Sequence, residues 1–129
     1  MAAPSDRKYL TSHEWALEAD GLITIGITDV AIAHLSDLVF VDLPAPGKEL
    51  VQGEPFGEIE SVKAVSDLMS PVNGVVEEVH EEISDELDIL ASDPFDKGWI
   101  IKVRPSDNSG MAQLLDADAY NNLVSGEDA

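Results

Sequence analysis

Gly57-Glu58-Ile59-Glu60-Ser61-Val62-Lys63-Ala64-Val65-Ser66-Asp67-Leu68-Met69-Ser70-Pro71-Val72-Asn73-Gly74 decides how the rest of the chain is read. Phe56, Glu58 and Glu60 alternate with Gly57, Ile59 and Ser61, and Ala64, Ser66 and Leu68 alternate with Val65, Asp67 and Met69. Such two-residue periods mark half-buried β-strands. The pair of strands, about residues 56–72, closes on Pro71 and on the Asn73-Gly74 turn. Asn-Gly suits positive-φ turns, which assigns Gly74 to backbone geometry. Lys63 stands between the two strands. A lysine there projects from a hairpin tip into water, where another protein can grip it in a fixed turn.

Outward from the hairpin, the same alternation recurs in short pieces. His13 to Glu18 reads as a strand, Gly21 as a turn, and Leu22 to Ile27 as the returning strand. Asp29 reads as an N-cap for a short helix over residues 29–35. Leu38 to Leu43 is a strand stopped by Pro44 and Pro46, and Gly47 and Gly53 bracket a β segment at Leu50. Gly74 to Val79 and Trp99 to Val103 complete the set. Short strands punctuated by Gly and Pro predict a mainly β fold of short antiparallel strands, a small sandwich or barrel. Apolar residues at Met111, Leu114, Leu115, Ala119 and Leu123 predict a C-terminal helical tail over about residues 107–124, with Ser125 to Ala129 frayed. Between Glu81 and Leu90, Ile83, Leu87 and Leu90 fall at helical spacing inside a run of carboxylates, which predicts a helical turn with a solvated face.

Composition narrows the function. With 129 residues, a single domain over residues 1–129 is expected. Seven basic against 26 acidic residues give a formal charge of −19. That balance disfavours nucleic acid and anionic membranes, both of which are held by lysine and arginine. It suits steering toward basic partners and, equally, plain solubility or adaptation to a salty cytoplasm. The absence of cysteine removes disulfides, thiol nucleophiles and thiolate metal sites. No apolar run approaches the ~18 residues of a membrane span, and the N-terminus is polar. A cytoplasmic protein of a prokaryote is expected, a processed organellar one being the alternative. No Ser-His-Asp set, phosphate-cradling glycine loop or metal spacing accompanies His13, His34 and His80, so a non-catalytic role is expected. No long apolar stripe is left over for a permanent dimer, and a monomer is expected.

Glu60-Ser61-Val62-Lys63-Ala64-Val65-Ser66-Asp67 resembles the lipoyl-attachment signature of the glycine cleavage system H protein family, Glu-Ser-x-Lys-x-x-Ser-Asp. Further landmarks follow in family order. They are Ser12-His13-Glu14-Trp15, Gly26-Ile27-Thr28-Asp29, Val39 to Pro44, Asp93-Pro94-Phe95 with Gly98-Trp99, and Leu114-Leu115-Asp116-Ala117. The resemblance narrows the fold to a small barrel-sandwich hybrid and implies lipoate attached covalently to Lys63. It implies a carrier that takes an aminomethyl group from the pyridoxal-phosphate glycine decarboxylase (P protein) to the aminomethyltransferase (T protein). It also implies delivery of reducing equivalents to dihydrolipoyl dehydrogenase (L protein), and recognition by lipoate-attaching enzymes.

By the same resemblance, Ser12, Glu14, His34 and Asp67 are expected around a cleft for the aminomethyl-bearing arm. Each has a plainer reading: Glu14 as a solvated strand end, Asp67 as a turn-stabilising carboxylate, and His34 as a partly buried packing residue. Glu58 and Glu60 share a strand face beside the lysine and are expected to mark the site for lipoylation, solubility being their plainer reading.

The family usually carries asparagine at the position of His80, proline at Leu87, asparagine at Ala91 and tyrosine at Phe95. Those departures leave open a divergent H-like lipoyl carrier, or a lipoyl-relay protein serving another pathway. Biotin carriers, which place their lysine between methionines, fit less well, as Val62 and Ala64 flank this one. Carrier domains of 2-oxoacid dehydrogenases lack the Ser-His-Glu-Trp opening.

Overall fold

A computed structural model describes residues 5–35, 37–106 and 114–127. Strands β1 (Lys8–Tyr9), β2 (Glu14–Ala19) and β3 (Leu22–Ile27) lead into helix α1 (Asp29–Leu35). Then come β4 (Leu38–Asp42), β5 (Glu49–Leu50), β6 (Pro55–Ser61), β7 (Val65–Met69) and β8 (Gly74–Val79). A 3-10 turn (Glu81–Ser84), helix α2 (Asp88–Ser92), β9 (Ile101–Pro105) and helix α3 (Ala117–Glu127) complete the order. The strands form two antiparallel sheets, one ordered β1-β2-β3-β9-β8-β5 and the other β4-β6-β7, and they do not close into a barrel. The fold is the mainly β, two-sheet class that the short alternating segments predict.

Alternation is what brings the sheets together. Ile23 and Ile25 on β3, Val76 on β8 and Ile101 and Val103 on β9 turn inward from the large sheet. Val41, Ile59 and Leu68 turn inward from the small one, and all eight are buried in one core. A second cluster of Tyr9, Trp15, Phe95, Ala117 and Tyr120 seats α3 against the outer end of the large sheet. Gly26 lies opposite Trp15 in the β2–β3 register, and a Cβ there would fall 2.5 Å from the indole ring. Only glycine lets that ring lie across the strand.

Several boundaries differ from the sequence reading. Helix α1 is capped by Thr28, not Asp29: the Thr28 carbonyl accepts the Ile32 N–H at 3.2 Å and its Oγ1 lies 3.4 Å from the Ala31 nitrogen. Asp29 is instead the acidic residue of the first turn, where the helix dipole favours it. The C-terminal tail is one helix among the described residues, beginning at Ala117, and residues 107–113, including Met111, lie outside them. Leu115 is not helical but exchanges backbone hydrogen bonds of 2.8 Å with Tyr9. Helix α3 runs through Glu127, so the backbone of 125–127 is helical where fraying was expected. Gly74 has no positive φ; its requirement is contact, since a Cβ would stand 2.3 Å from the Arg104 carbonyl oxygen. The carboxylate run forms the 3-10 turn and α2, with Ile83 and Leu90 buried as its spacing predicts.

Candidate functional site

The lysine hairpin is formed by β6 and β7 in antiparallel register, Glu60 facing Val65 and Glu58 facing Asp67. Three residues, Val62, Lys63 and Ala64, cross between the strands. Ser61 organises them. Its backbone N–H donates to the Ala64 carbonyl at 2.8 Å, and its buried Oγ accepts the N–H groups of Ala64 (3.1 Å) and Lys63 (3.3 Å). One serine hydroxyl therefore satisfies two donors of the turn, the local role for which Ser is favoured in loops. A third anchor comes from outside, as the Val62 N–H donates to the Asp37 carbonyl at 3.0 Å. Lys63 itself is exposed, and its ammonium forms no ion pair with the described residues. An amine so placed on a held turn fits an acyl attachment point: reachable, fixed at its Cα and free of a competing carboxylate.

The outer face of the small sheet is laid out in rungs. Phe40 pairs with Glu60 and Glu60 with Val65; one rung further on, Asp42 pairs with Glu58 and Glu58 with Asp67. All six are exposed, while Val41 and Ile59 between them point into the core. Glu58 and Glu60 thus share one wet face beside the lysine, as their spacing predicts. Asp67 stands at mid-strand across from Glu58, and the hydrogen bonds of the turn come from Ser61 and Asp37.

Glu14 departs from the picture of a solvated strand end. It is 1 % exposed, at the start of β2. Its Oε2 accepts the Met69 N–H at 2.9 Å and its Oε1 accepts the Ser12 hydroxyl. The first contact ties the large sheet to the second strand of the lysine hairpin. Burial pushes the Glu14 carboxyl up to about 7, against the pull of the Met69 and Ser12 hydrogen bonds. Ser12 and Glu14 are therefore joined, and Met69 brings β7 to them. Asp67 lies two residues earlier on that strand but on its exposed face. His34 falls within α1, and its side chain lies outside the described residues.

Behind Glu14 sits a polar junction that motif reading missed. The Tyr120 hydroxyl lies 2.7 Å from both His13 Nδ1 and Thr28 Oγ1, and its ring stacks on Tyr9 with centroids 4.7 Å apart. Helix α3 thereby joins the loop before Glu14 to the cap of α1. His13 adopts φ 79°, a left-handed conformation, as the chain turns into β2. Arg7 lies over the Trp15 ring, 4.6 Å from its centroid, and beside Phe95. The indole N–H of Trp15 donates to the Pro94 carbonyl at 2.9 Å. Ser12-His13-Glu14-Trp15 and Asp93-Pro94-Phe95 stand among the family landmarks in the sequence, but nothing in the sequence joins them. Of the departing positions, His80 stacks on Trp99 at 4.4 Å between centroids, and Phe95 is buried.

Comparison with known proteins matches residues 7–127 to the family model described as Glycine cleavage H-protein. The chain is 48 % identical over 126 residues to the glycine cleavage system H protein of Chromohalobacter salexigens, covering 97 % of this chain and 96 % of that one. Against the corresponding protein of Staphylococcus epidermidis it is 43 % identical over 124 residues, covering 96 % and 98 %. The crystal structure of a glycine cleavage system H protein from Mycobacterium marinum superposes with a TM-score of 0.89 at 40 % identity, over 95 % of this chain and 99 % of that one.

Proposed function

The chain belongs to the glycine cleavage H-protein family of lipoyl carriers, and from that premise we propose that Lys63 is its lipoyl-attachment residue. The observation that carries the reading is the exposed Lys63 amine on a turn held by Ser61 and Asp37. Acylation of that amine removes its positive charge and leaves a long, mostly apolar arm. When attached, lipoate supplies a disulfide–dithiol couple able to accept a one-carbon unit and two electrons. The protein's part is placement and shelter.

In this reading the carrier collects an aminomethyl group at the pyridoxal-phosphate glycine decarboxylase and presents it to the aminomethyltransferase. Dihydrolipoyl dehydrogenase then restores the oxidised arm. The chain itself is a non-catalytic component. Glu58 and Glu60, on the exposed face beside Lys63, mark the site for lipoate-attaching enzymes.

Ser12, Glu14, His34 and Asp67 belong to the cleft that protects the loaded arm from water. Glu14 has the chemistry for it. A buried carboxyl raised to about 7 gains its charge readily when a cationic amine approaches, since the pair stabilises the ionised form. Asp67, exposed on the strand that Glu14 grips through Met69, offers a second carboxylate nearer the lysine. Excluding water from a labile group is an established protein role.

The test is reconstitution of glycine decarboxylation with the purified decarboxylase and the lipoylated chain. Carbon dioxide release that depends on Lys63 is expected. A lipoylated chain that supports none would move it to the divergent carriers serving another pathway. Glu14→Ala or Asp67→Ala should leave lipoylation intact and shorten the lifetime of the loaded aminomethyl group. Unchanged lifetime in both variants would remove the shelter role.

A further inference from the structure

Exposed large apolar side chains are concentrated beside the lysine. Phe40 (54 % exposed), Val62 (68 %), Val65 (59 %) and Val39 (47 %) all lie on the small sheet or its hairpin tip. Phe40 and Val65 flank Glu60 in a single rung, and Val62 adjoins Lys63. The next rung, Asp42, Glu58 and Asp67, is entirely acidic, and exposed Asp37 lies against the tip through its carbonyl contact with Val62. Lys63 is the one basic residue among those of β4, β6, β7 and the turn.

A folded core does not need this arrangement. Val41 and Ile59 already fill the inner face, and outward Phe and Val in water contribute no burial. Apolar side chains grouped on an outer face and rimmed by charge are characteristic of a protein-binding surface.

We infer that Phe40, Val62 and Val65 form the docking platform for the enzyme that acylates Lys63, whose matching surface is an apolar contact ringed by arginine or lysine. The inference rests on Lys63 being the attachment residue and adds the contacts that select it. Two arguments choose this occupant. First, an enzyme transferring an acyl group to Nζ must bring its reaction centre within one lysine side chain of the turn. Its body then covers the hairpin tip, where Val62 adjoins Lys63 and the rung of Phe40, Glu60 and Val65 comes next. Enzymes acting on the far end of a long arm face no such requirement. Second, the acidic rim complements a basic collar and repels an acidic one, so a second copy of this chain, charged −19, is a poor occupant.

The experiment follows acyl transfer to the unmodified chain by intact mass, varying chain concentration with a purified lipoate-attaching enzyme, lipoate and ATP. Phe40→Thr combined with Val65→Thr places β-branched, strand-compatible residues at both positions and removes the apolar surface. An apparent KM for the chain raised about tenfold with kcat unchanged is expected, the loss of about 1.4 kcal/mol of docking energy. Val75→Thr, an exposed valine on β8 of the other sheet, should leave KM unchanged. Raising salt should weaken docking of the wild type more than that of a Glu58→Gln, Glu60→Gln variant.

Equal KM values for wild type and the Phe40, Val65 variant would overturn the platform while leaving Lys63 as the attachment residue. A wild-type chain that is never acylated would overturn both. Sedimentation showing a wild-type dimer that the double variant loses would reassign the patch to self-association and overturn the inference.

Discussion

Trp15 and Lys63 stand in neighbourhoods built on opposite terms. Around Trp15 every group is committed: the indole N–H is paired to Pro94, Arg7 covers one ring face, Gly26 makes room across the strand, and Tyr120 and Phe95 close the cluster. Around Lys63 the inner face of the sheet is filled but the outer face keeps Phe40, Val62 and Val65 in water beside carboxylates that form no ion pair with the described residues. The first region spends its chemistry on stability. The second holds its backbone with a few hydrogen bonds and leaves its side chains for other molecules. Glu14 is the hinge of the comparison, because its carboxylate belongs to the packed end and its Met69 contact reaches the open one.

Substitutions at the packed end should therefore act globally, and the largest effect is expected there. Trp15→Ala removes a fully buried ring and its hydrogen bond, and a loss of about 3–5 kcal/mol in denaturant unfolding is expected. A loss below about 1 kcal/mol would erase the contrast between the regions.

Glu14→Gln tests the hinge. The carboxyl titrates near 4.5 when unfolded and near 7 when folded, so the folded state prefers the protonated form. Its contribution is complete below pH 4.5 and is lost as pH rises through 7. Glutamine can still accept from Met69 and donate to Ser12, without the charge. Relative to wild type, the variant should gain up to about 3 kcal/mol between pH 4.5 and 8, read from paired denaturation curves. A difference independent of pH would mean that Glu14 is not buried as described.

Tyr120→Phe keeps the ring stacked on Tyr9 but removes the hydroxyl shared by His13 and Thr28. A cost of about 1–3 kcal/mol is expected, because buried Thr28 loses a partner. Lys63 acylation should proceed at the wild-type rate. A slowed acylation would show that the two regions are coupled through α1 rather than separate.

Much of this was legible in the sequence, and the reason is alternation. Ile59 and Leu68 against Glu58 and Asp67, or Ile23 and Ile25 against Leu22 and Thr24, announce strands and their buried faces directly. The lysine turn was legible from its motif, because Ser61 and Lys63 lie within three residues of each other and the contact is local. What escaped was non-local or irregular. Lys8–Tyr9 is too short to show a period, and Leu115 looks helical until Tyr9 pairs with it. Asp29 resembles a cap by type, yet Thr28 has the geometry. The burial of Glu14 cannot be read from a residue type that is nearly always solvated; it depends on Met69, far along the chain.

The smallest expected effect belongs to the open end. Ser61→Ala deletes the hydroxyl that accepts from Lys63 and Ala64, and about 1 kcal/mol is expected, the usual net worth of such hydrogen bonds. Hydrogen exchange should quicken at the Lys63 and Ala64 amides and stay unchanged around Trp15. Quickening at both would make the turn part of the global fold.

The proposed function rests on one claim, that the side chain at position 63 receives a lipoyl group. Peptide mapping by mass spectrometry after incubation with a lipoate-attaching enzyme, lipoate and ATP tests that claim most directly. A gain of about 188 Da confined to the peptide holding Lys63, and absent in Lys63→Arg, is the predicted result. No gain in the wild type, or a gain that persists in Lys63→Arg, would contradict it.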